Sequence, residues 1–187
     1  MKRIGLAITG SFCTFKNTLT AIDNLISAGF DLTPIFSYSV SNFDTRFFKQ
    51  KEFEDLIIAK TGKTPIKTIV DAEPIAASNL ELMLVAPCTG NTLSKIANGI
   101  TDTPVTMAVK ATLRNNLPVV LSVSSNDALG ANAKNLGILS NTRNVYFVPI
   151  GQDAPMKKPN SLIANTSLIV ATVNSALQGK QIQPVFY

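Results

Sequence analysis

The stretch Leu82-Met83-Leu84-Val85-Ala86-Pro87-Cys88-Thr89-Gly90-Asn91-Thr92-Leu93-Ser94-Lys95 decides how this chain folds. The apolar run Leu82–Ala86 reads as a buried strand that Pro87 stops. Small hydroxyl and amide residues follow, and a helical pattern takes over across Thr92–Asn98. A strand feeding straight into a helix leaves free backbone N–H groups and the positive end of the helix dipole pointing outward together. Thr89, Asn91 and Thr92 add side-chain donors, so a phosphate is the expected guest. The plainer alternative is a connection in which Thr89 or Asn91 merely caps the helix.

Outward from this segment, strand and helix patterns alternate along the chain. Arg3–Ile8 reads as a strand, and Phe15–Ala28, with Leu19, Ile22, Leu25 and Ile26 at helical spacing, as a helix stopped by Gly29. Asp31–Tyr38 is a second strand and Phe47–Lys60 a second helix, while Ile66–Ala77 suggests a short helix ended by Pro74. Beyond the central segment come a helix over Val105–Asn115, a strand over Pro118–Val123, a helix over Ala128–Leu139 and a strand over Val145–Ile150. Gly151–Ser161 reads as a loop and Leu162–Leu177 as a closing helix. Such alternation predicts one α/β domain over residues 1–187, a three-layer α/β/α doubly wound parallel sheet of Rossmann-like type. Ligands of such sheets bind at the C-terminal ends of the strands.

Composition narrows the chemistry. At 45% hydrophobic and 16% charged, the chain is no disordered polymer. No apolar stretch approaches the roughly 18 residues of a membrane span, and the apolar run after Met1-Lys2-Arg3 is too short for a secretion signal, so a cytoplasmic protein is expected. Cys13 and Cys88 lie far apart without metal-type spacing, so no metal site is expected. The absence of histidine removes the usual proton shuttle near neutrality and leaves Cys88 without an activating base. The net charge of +5 is spread over single basic residues without interleaved aromatics. That distribution suits small anionic ligands better than nucleic acid.

Three strand ends carry the candidate site. The first offers Thr9, Gly10 and Ser11. The second offers Ser37, and Arg46 lies beyond it as a fork for a carboxylate. The fourth delivers Ser124, Ser125, Asn126 and Asp127, more polar residues than a helix cap requires. With Pro87, Thr89, Gly90, Asn91 and Thr92, the residues Thr9, Gly10, Ser11, Ser37 and Ser124 form the expected cofactor set. Asn126, Arg46, Lys95 and Arg114, with Lys157, are the candidates for substrate carboxylates. No catalytic acid or base is assigned.

The motifs Thr9-Gly10-Ser11 and Ala86–Gly99, with Asn126 placed like the asparagine of a P-x-M-N motif, resemble the flavoprotein family of phosphopantothenoylcysteine and peptidyl-cysteine decarboxylases. Thr101–Val105, Lys110–Asn116, Ser125–Gly130 and Gly151–Ser161 extend the likeness over the whole chain toward one branch of that family. The resemblance implies an FMN-binding oxidoreductase subunit of a spore-forming bacterium. Its reaction would oxidise a dihydro- or hydroxytetrahydro-dipicolinate to pyridine-2,6-dicarboxylate, beside an A subunit that resembles nicotinamide-dinucleotide binders. It also implies a trimer-based homo-oligomer. NADP is the alternative cofactor, and a non-catalytic binding subunit or an FMN-dependent decarboxylase-like enzyme the alternative role. The decarboxylases use a histidine that this chain lacks, and Val123 and Ser125 replace the proline and methionine of P-x-M-N. Thr89–Thr92 also resembles a flavodoxin phosphate loop, but there that loop follows the first strand.

Overall fold

The computed structural model describes residues 1–187. Its sheet has seven strands: β1 (Lys2–Ile8), β2 (Phe30–Phe36), β3 (Leu82–Cys88), β4 (Val119–Ser125), β5 (Val145–Phe147), β6 (Ile150–Gly151) and β7 (Leu162–Ala164). The order is β2-β1-β3-β4-β7-β6, with β5 also on β4. β1 pairs in parallel with both β2 and β3, so the chain reverses its direction of travel across the sheet at the β1/β3 boundary. That reversal opens a crevice beyond the C-terminal ends of β1 and β3.

The helices are α1 (Phe15–Ser27), α2 (Tyr38–Asn42), α3 (Gln50–Thr61), α4 (Ile69–Ala72), α5 (Gly90–Ala97), α6 (Pro104–Arg114), α7 (Ala133–Ser140) and α8 (Ile169–Ala176). Strand side chains alternate between the two layers. Leu82 and Leu84 of β3 join Ile22, Phe53 and Val173 on one face, while Met83 and Val85 join Leu93, Val105 and Val109 on the other. Both faces of the central strands are covered, which is why they read as unbroken apolar runs.

The expected three-layer class stands, with three local departures. One short strand, β7, runs antiparallel to both of its neighbours, β4 and β6. Leu162–Ala164 is therefore strand and not helix, because β5 covers β4 only from Val119 to Leu121 and the backbone beyond needs partners. The helix starts beyond Asn165, whose side chain accepts the Ser167 N–H at 3.1 Å. α7 starts at Ala133 and not near Ala128, leaving the intervening residues as turns. The short helix expected within Ile66–Ala77 is α4, which stops two residues before Pro74, where the chain tightens into a 3-10 turn over Glu73–Ala77. β2 ends at Phe36, since Ser37 caps the unanticipated α2 by accepting the Val40 N–H at 3.4 Å.

α3 turns a carboxylate inward. Glu54 is buried, which by itself raises its carboxyl, but Lys67 Nζ at 2.6 Å and Gln50 Nε2 at 2.7 Å donate to it. Those bonds and the Lys67 charge win, holding the carboxyl below its ordinary value. A carboxyl lowered in the folded state stabilises above the unfolded carboxylate range and loses that contribution as pH falls through the folded value. Glu54→Gln should therefore be about 1–3 kcal/mol less stable than wild type at neutral pH. The gap should close on acidification, as thermal melts across a pH series would show.

Candidate functional site

Three chain reversals meet at the crevice. After β1, Thr9 turns inward and is almost fully buried. Its Oγ1 donates to the Pro87 carbonyl at 2.7 Å and accepts the Thr89 N–H at 3.0 Å, clipping the ends of β1 and β3 together. Both hydrogen-bonding roles of that hydroxyl are thereby used, so Thr9 holds the site's walls and has no proton left for a ligand.

Thr89 caps α5, its Oγ1 accepting the Thr92 N–H at 3.3 Å. The first helical backbone bond runs from Leu93 N–H to the Thr89 carbonyl. The N–H groups of Gly90 and Asn91 precede it and have no partner within the helix. The capping reading of this segment is thus realised at the Thr92 N–H, while the N–H groups of Gly90 and Asn91 are left over at the α5 N-terminus.

The first cleft encloses about 570 Å³ and is lined by Gly10, Ser11, Phe12, Arg46, Phe47, Thr89, Gly90, Ser124, Ser125, Asn126, Asp153, Lys158, Ser161, Leu162 and Ile163 among others. A second, of about 350 Å³, shares Gly10, Phe12 and Thr89 with it and adds Thr9, Ser37, Ser39, Asn91, Thr92, Lys95 and Thr103. Ser11 and Ser124 join hydroxyls at 2.8 Å between the ends of β1 and β4. Asn126 is exposed in the first cleft and makes no side-chain hydrogen bond within the protein. With α7 beginning at Ala133, it caps no helix. The Arg46 guanidinium lies 4.8 Å from the Phe47 ring centroid and has no acidic partner, so it is free to meet an anion.

Not all expected residues converge. Arg114 closes α6 and lines a separate groove of about 460 Å³ with Lys110, Ile96 and Ile100. That groove belongs to the α5/α6 surface and not to the strand ends, so Arg114 leaves the substrate set. Lys95 reaches the second cleft but gives its charge to Asp102, both carboxylate oxygens lying 2.8 Å away. Lys157 lines neither cleft. Its neighbour Lys158 does, bonded to Asp153 at 3.2 Å. A bond from the Ser161 hydroxyl, and then Lys158, hold the Asp153 carboxyl below its ordinary value against the burial that would raise it. Phe12, Phe47, Asp153 and Ser161 were missed in the sequence. The loop 151–161 contributes two of them, and nothing in its spacing signals which of its residues turn inward.

Cys88, fully buried, has its thiol pushed up to about 12 by burial, so it stays protonated and inert. No helix is long and apolar enough to cross a membrane.

A doubly wound sheet, a helix N-terminus at its switch point and hydroxyls beside it describe a nucleotide-type cleft. Residues 1–175 match the Flavoprotein family, and the chain belongs to it. The chain is similar to the B subunit of dipicolinate synthase from Bacillus subtilis (strain 168), with 46% identity over 185 residues, 98% of this chain and 92% of that protein. The crystal structure of the corresponding B subunit from Bacillus halodurans C superposes with a TM-score of 0.91 at 43% identity, covering 100% of this chain and 96% of that one. An FMN-dependent cysteine decarboxylase shares the fold alone, at a TM-score of 0.70 and 18% identity over 96% of this chain and 97% of its own.

Proposed function

We propose that this chain is a dipicolinate synthase B-type subunit that binds FMN and helps oxidise a dihydro- or hydroxytetrahydro-dipicolinate to dipicolinate, together with an A subunit. One observation carries the reading. The unpartnered N–H groups of Gly90 and Asn91, the Ser11–Ser124 hydroxyl pair, Asn126 and the free Arg46 all face one crevice at the sheet's switch point. These residues fit a flavin mononucleotide. The α5 N-terminus and Ser11 would hold the phosphate, while Phe12 and Phe47 offer aromatic walls to a flat ring. Bound flavin supplies hydride acceptance there.

The chain's own residues bind and orient. Arg46 would pair with one substrate carboxylate and Asn126 donate its amide to the other or to a ring carbonyl. Orientation suffices for much of the task, because aromatisation drives the oxidation. The absence of histidine supports the binding-subunit alternative, with nicotinamide chemistry performed wholly by the A subunit, and weighs against decarboxylation. NADP would use the same phosphate site. The protein is expected to act in the cytoplasm as a trimer-based homo-oligomer, the state the family resemblance implies and one that suits a chain 45% hydrophobic and only 16% charged.

Two measurements test this. Freshly purified protein should be yellow, or should bind added FMN by calorimetry; a colourless protein that binds no flavin rejects the cofactor. Asn126→Ala should melt like wild type yet lose about tenfold to a hundredfold in ligand affinity, or in turnover of the reconstituted two-subunit enzyme. Undiminished binding and turnover would place the substrate elsewhere.

A further inference from the structure

Two cations line the first cleft, Arg46 and Lys158, against one carboxylate, Asp153. They enter it from opposite edges of the sheet. Arg46 lies in the segment that follows β2 and α2, at one edge, and Lys158 in the loop that leaves β6, at the other. The strands β1, β3 and β4 run between those edges and bring Ser11, Thr89 and Ser124 to the same cleft.

The loop fixes the backbone of Lys158 on both sides. The Lys158 N–H donates to the Ala154 carbonyl at 2.7 Å, and the Lys158 carbonyl accepts the Ser161 N–H at 3.0 Å. Gln152 Nε2 donates to the Pro159 carbonyl at 2.9 Å, and the Leu129 N–H to the Asn160 carbonyl at 3.0 Å, tying the loop to the turns after β4. Ser161, 3% exposed, anchors its far end. The Lys158 side chain is half-exposed and meets Asp153 Oδ2 through a single contact of 3.2 Å. Lys95, by contrast, lies 2.8 Å from both oxygens of Asp102. An ammonium carries three donors, so Lys158 keeps N–H groups for a ligand while Asp153 sets the direction of its stem.

One cation holds a monoacid and a diacid by the same bond. A second cation, fixed elsewhere in the cleft, adds a charge-assisted bond only for the ligand with a second carboxylate. We propose that Lys158, positioned by Asp153, is the second anion-binding cation of this cleft and, with Arg46, makes it selective for a ligand bearing two carboxylates. The proposal rests on the dicarboxylate reading above and deepens it. Arg46 alone would grip any small carboxylate, whereas the pair selects by the number and spacing of negative charges. Asn126 adds a neutral donor in the same cleft.

The test titrates benzene-1,3-dicarboxylate and benzoate calorimetrically into the protein. The diacid spaces its carboxylates across the ring as pyridine-2,6-dicarboxylate does, and neither probe has a ring nitrogen, so the comparison isolates the second charge. Wild type should bind the diacid about tenfold to a hundredfold more tightly than benzoate. Lys158→Met keeps most of the apolar stem and removes the ammonium. It should melt like wild type and bring the ratio of affinities toward one, while benzoate, held by Arg46, binds as before. Lys157→Met removes the same charge one residue away, from a side chain that lines neither cleft, and should leave the ratio as in wild type. An unchanged ratio in Lys158→Met overturns the proposal and leaves the dicarboxylate reading standing, with the second carboxylate on another group. Equal losses in the two lysine variants also overturn it, since the effect would then belong to the net charge of the loop. If neither probe binds wild type, the dicarboxylate reading falls and this inference with it.

Discussion

Gly90→Ala is expected to weaken FMN binding at least about tenfold and to destabilise the fold by about 1–3 kcal/mol. A β-carbon at Gly90 would press into Ser125 Oγ and come within 2.7 Å of both Asn132 Nδ2 and Asp127 Oδ1. These are not loose chain ends that could swing aside. Each is hydrogen-bonded to another of the three, and Asn132 is held from behind by Asn135. Room for the methyl group can come only from breaking that network or from lifting the first turn of α5, and the second disturbs the N–H groups proposed to hold the phosphate. Backbone strain plays no part, since Gly90 is not among the glycines with positive φ. Gly137 supplies the control. It lies within α7 with nothing near its would-be β-carbon, so Gly137→Ala should stabilise by up to about 1 kcal/mol through helix propensity and leave binding unchanged. Calorimetric titration with FMN and thermal melting of both variants would decide the matter. A Gly90→Ala protein that binds FMN like wild type would remove the α5 N-terminus from the site.

Phe53→Ala should cost about 3–5 kcal/mol, more than any of the other substitutions above. Its ring is 1% exposed. It stacks on Phe15 with centroids 4.2 Å apart, and Phe36 and Phe48 lie at 5.8 and 5.5 Å. Phe15 in turn packs against Phe12, a wall of both clefts. The cavity would open beneath the segment that carries Arg46, since Phe48 anchors that segment and its carbonyl accepts the Thr45 N–H at 3.0 Å. Chemical denaturation should show a lower midpoint at an unchanged slope. Affinity for a dicarboxylate should fall as well, because an unanchored Arg46 must be ordered on binding. A loss below about 1 kcal/mol would mean that the neighbouring rings close over the gap.

The placement of most strands and helices was readable because two-sided burial writes long apolar runs and one-sided burial writes helical periodicity. Both are local patterns. The errors fell where local pattern and tertiary need diverge. Leu162–Ala164 is as apolar as the helix that follows it, and only the open edge of β4 makes it a strand. Ser37 looks like the end of a strand in isolation and acts as the cap of α2.

The site divides in the same way. Ser11, Thr89, Gly90, Ser124 and Asn126 were legible because a doubly wound sheet delivers the residues after β1, β3 and β4 to one edge. Arg114 was misplaced because charge and proximity in sequence say nothing of which end of a helix faces the crevice. The α6 C-terminus points back toward the start of β4, away from the site.

The alternation of elements, the three-layer class and the polar turns at the strand ends are each written within a few consecutive residues, so local pattern is enough to set them. Tertiary structure alone decided which cations remain free, with Lys95 spent on Asp102 and Arg46 left open. It alone aimed the amides of Asn98, Asn132 and Asn135 at Asp127 across three separate segments. Hydrogen bonds and ion pairs act over about 3 Å whatever the distance along the chain, so their partners are chosen only when the folded backbone brings distant residues together.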